Sequence, residues 1–232
     1  MSIDGQAFEP LDLLSRSHDT NQLLRFIQAL DEEMTAATAN AVRAFPLTTS
    51  SAKQARGAAR RHFMENAIRS AGLRTGIQVD TEWSKPATWS YPTVKMGAFK
   101  VAVGIIFSRN RNAPRQLRTK SAYAKALCAR NSPLSPQGQL FPDPSEAVKT
   151  VIPEGAFGGF IVSEHSSYTD EVPSFLGLWI PSNDLKQRYH SYSLEEIMLY
   201  LRAKLAKQTK PTRKNPSRKF PTLKQKPSPK KK

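Results

Sequence analysis

The sequence predicts an α+β body with N-terminal helices, a small and mainly antiparallel sheet and a C-terminal helix, followed by a disordered basic tail. Three observations predict it. Apolar residues recur at helical spacing towards both ends of the body. Between them, strand-length apolar stretches are separated by Pro, Gly and polar breaks. The basic charge collects at the C-terminus: residues 202–232 hold thirteen of the 35 Lys and Arg and no Asp or Glu, which leaves 22 basic against 19 acidic residues upstream. The net charge of +16 therefore separates into a nearly neutral body and a cationic arm. The expected division is an N-terminal helical segment over 1–50 packed on the body, an α+β body over 51–201, and a disordered Lys/Arg/Pro-rich tail over 202–232.

Residues 11–44 read as helical. Asp19 and Gln22 form a capping-box pattern. Leu23, Ile27, Leu30, Met34, Ala37 and Ala41 then recur at steps of four and three, one apolar stripe on a helix from about 20 to 44. The same spacing suits a coiled-coil seam, so the stripe serves either the body or a dimer. Pro46 stops this helix, and Ser51 caps a second one over 52–71 that ends at Gly72. The second helix is basic in its first half (Lys53, Arg56, Arg60, Arg61) and apolar in its second (Phe63, Met64, Ala67, Ile68, Ala71). The basic end is expected to project towards phosphates or to be a solvated face.

From Gly76 the period changes. Ile77 and Val79 alternate with polar residues, and Val94 to Phe107 reads as β structure bent at Gly97 or Gly104. The two stretches are expected to pair antiparallel around a long tip carrying Trp83, Trp89 and Tyr91. Residues 108–130 are basic and partly helical, with a short helix over 121–129. The run 132–144 holds four prolines and excludes helix and inner strand. Strands are expected over 157–163 and 175–180. Ser193 and Glu196 form a second capping box for a last helix over 193–207, whose apolar face is Leu194, Ile197, Met198, Leu201 and Leu205.

Composition excludes several classes. No run of 18 apolar residues occurs, so no membrane span is expected. The opening stretch carries an acid at Asp4 and no basic region, unlike a secretory signal. A single cysteine, Cys128, rules out an internal disulfide, and the four histidines (His18, His62, His165, His190) have no zinc-hydrolase spacing. A cytoplasmic protein without a cofactor is expected. No P-loop pattern is present, and the glycines of 155–159 do not precede a predicted helix, which removes phosphate-loop and dinucleotide chemistry.

The arm points to nucleic acid, DNA or RNA, as partner. Its candidate phosphate contacts are Lys207, Lys210, Arg213, Lys214, Arg218, Lys219, Lys224, Lys226, Lys230, Lys231 and Lys232, spaced by prolines that favour extended backbone. The piece 228–231, Ser-Pro-Lys-Lys, resembles the repeat units of linker-histone-type tails, which are associated with A·T-rich minor grooves. In the body, Lys53, Arg56, Arg60 and Arg61, and Arg109, Arg111, Arg115 and Arg118, are the candidate phosphate contacts.

Two other function classes are open. Gln137, Leu140 and Phe141 resemble the Q-x-x-L-F pentapeptide by which bacterial replication and repair proteins bind the sliding clamp. That resemblance implies a protein partner at 133–144. A Mg²⁺-dependent nuclease would need clustered carboxylates and a lysine. Glu65, Asp80, Glu82 and Lys100 follow an order that resembles restriction-endonuclease-like folds, without the D/E-x-K triplet. Ser163, Glu164 and His165 lie together, but neighbours on a strand point apart and make no triad by themselves. The oligomeric state is not readable from the sequence.

Overall fold

In a computed structural model the chain forms an α+β fold with helices at the N-terminus, a six-stranded sheet and a C-terminal helix. The structure describes residues 2–3, 6–7, 10–16, 18–45, 50–84, 86–87, 89–107, 122–134 and 152–208. The elements are β1 (Ser2–Ile3), β2 (Gln6–Ala7), α1 (Pro10–Leu14), α2 (Thr20–Ala44), α3 (Ser50–Thr75), β3 (Val79–Trp83), β4 (Ser90–Met96), β5 (Phe99–Phe107), α4 (Ala122–Cys128), β6 (Phe157–His165), β7 (Phe175–Pro181), β8 (Arg188–Ser193) and α5 (Leu194–Gln208). A 3-10 turn over Ala129–Leu134 follows α4.

The large sheet runs in sequence order from β3 to β8. Every pair is antiparallel except β5 with β6, which are parallel and registered from Phe99 against Phe157 to Phe107 against His165. Parallel neighbours need a long connection, and the one between β5 and β6 carries α4 on the sheet face opposite α2 and α3. Three layers result. Leu23, Ile27, Leu30 and Met34 of α2 and Met64, Ile68 and Ala71 of α3 share one core with Phe99, Val101, Ile161 and Ile180 of the sheet and Leu194, Ile197 and Leu201 of α5. Behind the sheet, Leu127 and Cys128 of α4 pack on Ala102, Phe160, Val162 and Trp179. Each fully buried aliphatic or phenyl side chain contributes roughly 1.5–3 kcal/mol of transfer free energy.

The stripe on α2 is spent inside the chain: all six of its predicted positions are buried. Asp19 caps the helix, accepting from the Gln22 N–H at 3.1 Å. Helix α3 is longer than the predicted 52–71. Gly72 lies within it, so close to Val79 that a Cβ there would come within 2.5 Å of the Val79 side chain. The helix instead ends at Gly76, whose φ of +72° is the left-handed conformation that suits a C′ residue.

The stretch predicted as one bent strand from Val94 to Phe107 is two strands joined by Gly97-Ala98. Gly97 has φ +57°, as the first central residue of a tight type II′ hairpin requires. Gly104 makes no bend and stays in register with Val162. Pro92, read as an interruption, sits inside β4 opposite Thr81. The edge strand β8 was not expected. Its half-buried Tyr189 and Tyr192 are three residues apart and give no period-two pattern, the register shifts at Tyr189, and Ser193 both ends the strand and caps α5, so strand and helix signals run together. In that capping box Ser193 Oγ accepts from the Glu196 N–H at 3.1 Å. Because α5 continues to Gln208 and tucks Leu201 into the core, the folded body extends past the expected boundary at 201. No helix among the described residues is long and apolar enough to cross a membrane.

Candidate nucleic-acid interface

Strands β4 and β5 are hydrogen-bonded neighbours for only part of their length. Their ladder runs from the turn to Thr93 opposite Ala102 and stops there, while β5 continues to Phe107 against β6. Pro92 supplies the physical reason. Residues flanking a two-residue hairpin turn form a mutually hydrogen-bonded pair, and alternate residues then face the same neighbour. Counting from Met96, Val94 and position 92 face β5, and a proline there has no N–H to donate. By the same alternation Val103, Ile105 and Phe107 turn their main-chain groups towards that side: the Val103 N–H is met by the Pro92 carbonyl, as the Thr93–Ala102 pairing requires, and the Val103 C=O and the groups of Ile105 and Phe107 face the gap.

The gap is a cleft of about 760 Å³. One side is the first half of α3, with Lys53, Gln54, Gly57, Ala58 and Arg61; the floor is Val103, Gly104, Ile105 and Phe107; Trp89, Tyr123, Phe160 and Tyr168 complete the wall. Arg61 lies over the Trp89 ring at 4.7 Å, and its Nε donates to Glu65 Oε1 at 2.7 Å. The indole N–H of Trp89 points at the same carboxylate, 3.4 Å away. Trp89 is thus held by its neighbours yet remains 46% exposed. Tyr168 stacks on Phe107 with ring centroids 4.3 Å apart and planes 21° from parallel, and it is 39% exposed. Tyr123 lies 4.3 Å from Tyr91, centroid to centroid.

The four cations predicted on α3 divide. Lys53 is exposed at the cleft mouth and Arg61 lines it. Arg56 and Arg60 are corrected: they are 3% and 0% exposed and are unavailable to phosphate. The Arg56 Nη1 donates to the carbonyl of Tyr168 at 2.9 Å and its Nε to that of Phe45 at 2.8 Å. Arg60 Nη2 donates to the carbonyls of Tyr168, at 3.1 Å, and Asp170, and its Nη1 to Ser167 at 3.4 Å. Together they tie the loop after β6 to the α2–α3 corner and fix the aromatic ring of Tyr168 at the cleft. Burial lowers the Arg60 pKa, and Arg56 beside it adds to this.

The nuclease residues do not converge. Thr81 accepts a hydrogen bond from Arg69 of α3, so Asp80 and Glu82, one residue either side, face away from α3 and from Glu65. Glu65 is engaged by Arg61 and Trp89, and Asp80 accepts from Gln78 at 2.7 Å. Glu82 and Lys100 do meet, as an ion pair, with Thr93 donating to Glu82 Oε1 at 3.2 Å. Tyr91 OH lies 3.4 Å from the same carboxylate. Burial first, then Glu82, pushes the phenol up to about 12. Among the described residues no group of three or more His, Cys, Asp or Glu is placed to hold a metal ion.

Ser163 and His165 share a strand face, with Oγ and Nε2 2.8 Å apart, but both are completely buried. Lys207 is exposed on the last turn of α5. The basic residues Arg109, Arg111, Arg115 and Arg118, the partner residues Gln137, Leu140 and Phe141, and Lys210, Arg213, Lys214, Arg218, Lys219, Lys224, Lys226, Lys230, Lys231 and Lys232 all lie outside the described residues.

Sequence reasoning missed Phe107, Tyr123 and Tyr168 as cleft residues. The available signal was Pro92 within an apolar, aromatic-rich strand. Comparison of the chain with protein-family models, with curated proteins and with solved structures gives no match.

Proposed function

We propose that this protein binds nucleic acid, with the C-terminal arm supplying sequence-independent phosphate contacts and the body supplying a second, more selective contact. The observation that carries the reading is the separation of charge: thirteen cations and no acid over 202–232, on a chain of net +16 whose upstream part is close to neutral. A polyanion is the partner such an arm attracts, by releasing condensed counterions. On the body, the exposed cation Lys53 stands at the mouth of an open aromatic cleft, a combination of charge and stacking surface that suits nucleic acid. The reading places the protein in the cytoplasm, where the lone buried thiol of Cys128, pushed up to about 12 by burial, stays protonated and inert.

The test is a salt titration of binding by fluorescence anisotropy, on duplex DNA, single-stranded DNA and RNA, for the full chain and for residues 1–208. The cut at 208 spares α5. The full chain is expected to lose affinity linearly in log salt, with about −0.9 of slope per phosphate neutralised on duplex. The shortened chain is expected to bind more weakly with a flatter slope. Equal affinity and slope for both chains would remove the arm from the interface.

A further inference from the structure

We infer that the cleft between β4 and β5 takes an unpaired nucleobase from a single strand, stacked on Trp89 and read along the open edge of β5. This rests on the nucleic-acid reading above and deepens it.

A cleft of about 760 Å³ falls in the size range of small-molecule sites and holds a base with its sugar. Its stacking surface is prepared in advance. Arg61 covers one face of Trp89 at 4.7 Å and the Glu65 carboxylate holds both, so the exposed remainder of the indole is a fixed platform. Tyr168 is set against Phe107 and anchored through its own carbonyl by Arg56 and Arg60, so a second aromatic surface is equally fixed. Preorganised rings stack on a base without first losing rotamer freedom.

The ladder gap adds a polar element. Ile105 directs its main-chain N–H and C=O into the cleft where β4 has left them, and Val103, whose N–H is met by the Pro92 carbonyl, adds its C=O. Alternating donors and acceptors along a strand edge match the hydrogen-bonding edge of an unstacked base. A paired base has that edge occupied and its faces covered, so duplex is excluded. A peptide strand would use the same β5 edge. The exposed Lys53 at the mouth and the net charge of +16 favour the anionic ligand.

The experiment uses the full chain and two probes, a deoxythymidine dodecamer and the same dodecamer carrying abasic sites throughout. Both have the same phosphates, so the arm's contribution cancels in their ratio. The base-bearing strand is expected to bind roughly 5- to 100-fold more tightly, the span that stacking of one base on an aromatic side chain supplies. Trp89→Ala is expected to bring the ratio close to one, and Trp83→Ala, outside the cleft, to leave it unchanged. Equal affinity of the wild-type chain for the two strands overturns the base pocket, whether duplex or a peptide is the true occupant, and leaves the nucleic-acid reading standing. Binding of neither strand nor of duplex overturns both. A preference that survives in Trp89→Ala moves the base elsewhere and overturns the cleft. Because the wild-type comparison needs no mutant, loss of folding in a variant does not blunt the test.

Discussion

Arg60, completely buried on α3, donates through Nη2 to the main-chain carbonyl of Tyr168 at 3.1 Å. A guanidinium is suited to this task because its planar fork reaches several acceptors at once while keeping its charge. The carbonyls of Ser167, Tyr168 and Asp170 cluster around it, and their partial negative charges compensate its burial. Arg60→Met should leave the Asp170 carbonyl without its donor, while Tyr168 keeps Arg56 and Ser167 keeps the Asp170 N–H, and cost about 1–3 kcal/mol of stability, read as a lower urea midpoint with an unchanged m-value. Arg60→Lys should not restore it, since one ammonium cannot span the same three oxygens. Neither substitution should remove a unit of salt slope from nucleic-acid binding.

Pro92→Val supplies an amide where β4 faces β5. The new N–H can donate to the Val103 carbonyl, and the ladder is then expected to extend towards Ile105, adding about 0.5–1.5 kcal/mol of stability per hydrogen bond made. Amide hydrogen exchange should be slow at the new position-92 amide and should slow at Ile105, and discrimination between base-bearing and abasic strands should fall as the cleft narrows. Unchanged exchange at Ile105 would show that the split has another cause.

His165 gives a pH dependence. Burial first, then the charge of Arg60, holds its imidazole down to about 4 against an ordinary 6.5. The native state therefore keeps it neutral, while the unfolded chain takes up a proton below 6.5. The stabilisation is complete above 6.5, falls away between 6.5 and 4, and does not change further below 4. A shift of that size corresponds to roughly 3 kcal/mol. Denaturant midpoints measured from pH 7.5 to 4 should show this acid limb, and His165→Gln, which keeps a partner for Ser163, should flatten it.

Asn131 is completely buried in the 3-10 turn and bridges two strands. Its Nδ2 donates to the carbonyls of Gly158 and Pro181 at 2.9 and 2.7 Å, and its Oδ1 accepts from the Gly158 N–H at 2.7 Å. Asn131→Ala should cost about 3 kcal/mol by leaving buried main-chain groups unpaired. Asn131→Asp should cost at least as much, because a carboxylate would face two carbonyl oxygens. Thermal unfolding of the two variants checks both statements.

Local chemistry was legible in the chain itself. The stripe of α2, the caps at Asp19 and Ser193 and the apolar face of α5 depend on residues three or four apart, which a sequence carries directly. So does the separation of the cationic arm from the body. The fate of the α3 arginines was half legible. Arg56 and Arg60 stand eight and four residues before Met64, on the line that continues through Ile68, so helical spacing alone puts them on the buried face. Charge argued for the surface, and helical position prevailed because the loop after β6 offers carbonyls to pair them.

The cleft was not legible. A proline in an apolar stretch reads as an interruption until the register shows which neighbour its missing N–H would have served. Tyr168 and Trp89 lie 79 positions apart and meet the same space only once the sheet is ordered. The sequence alone determined periodicity, caps and charge, because those are properties of neighbouring residues. Only the tertiary structure decided which cations face solvent and where the sheet opens, because those follow from strand register and from partners distant in the chain.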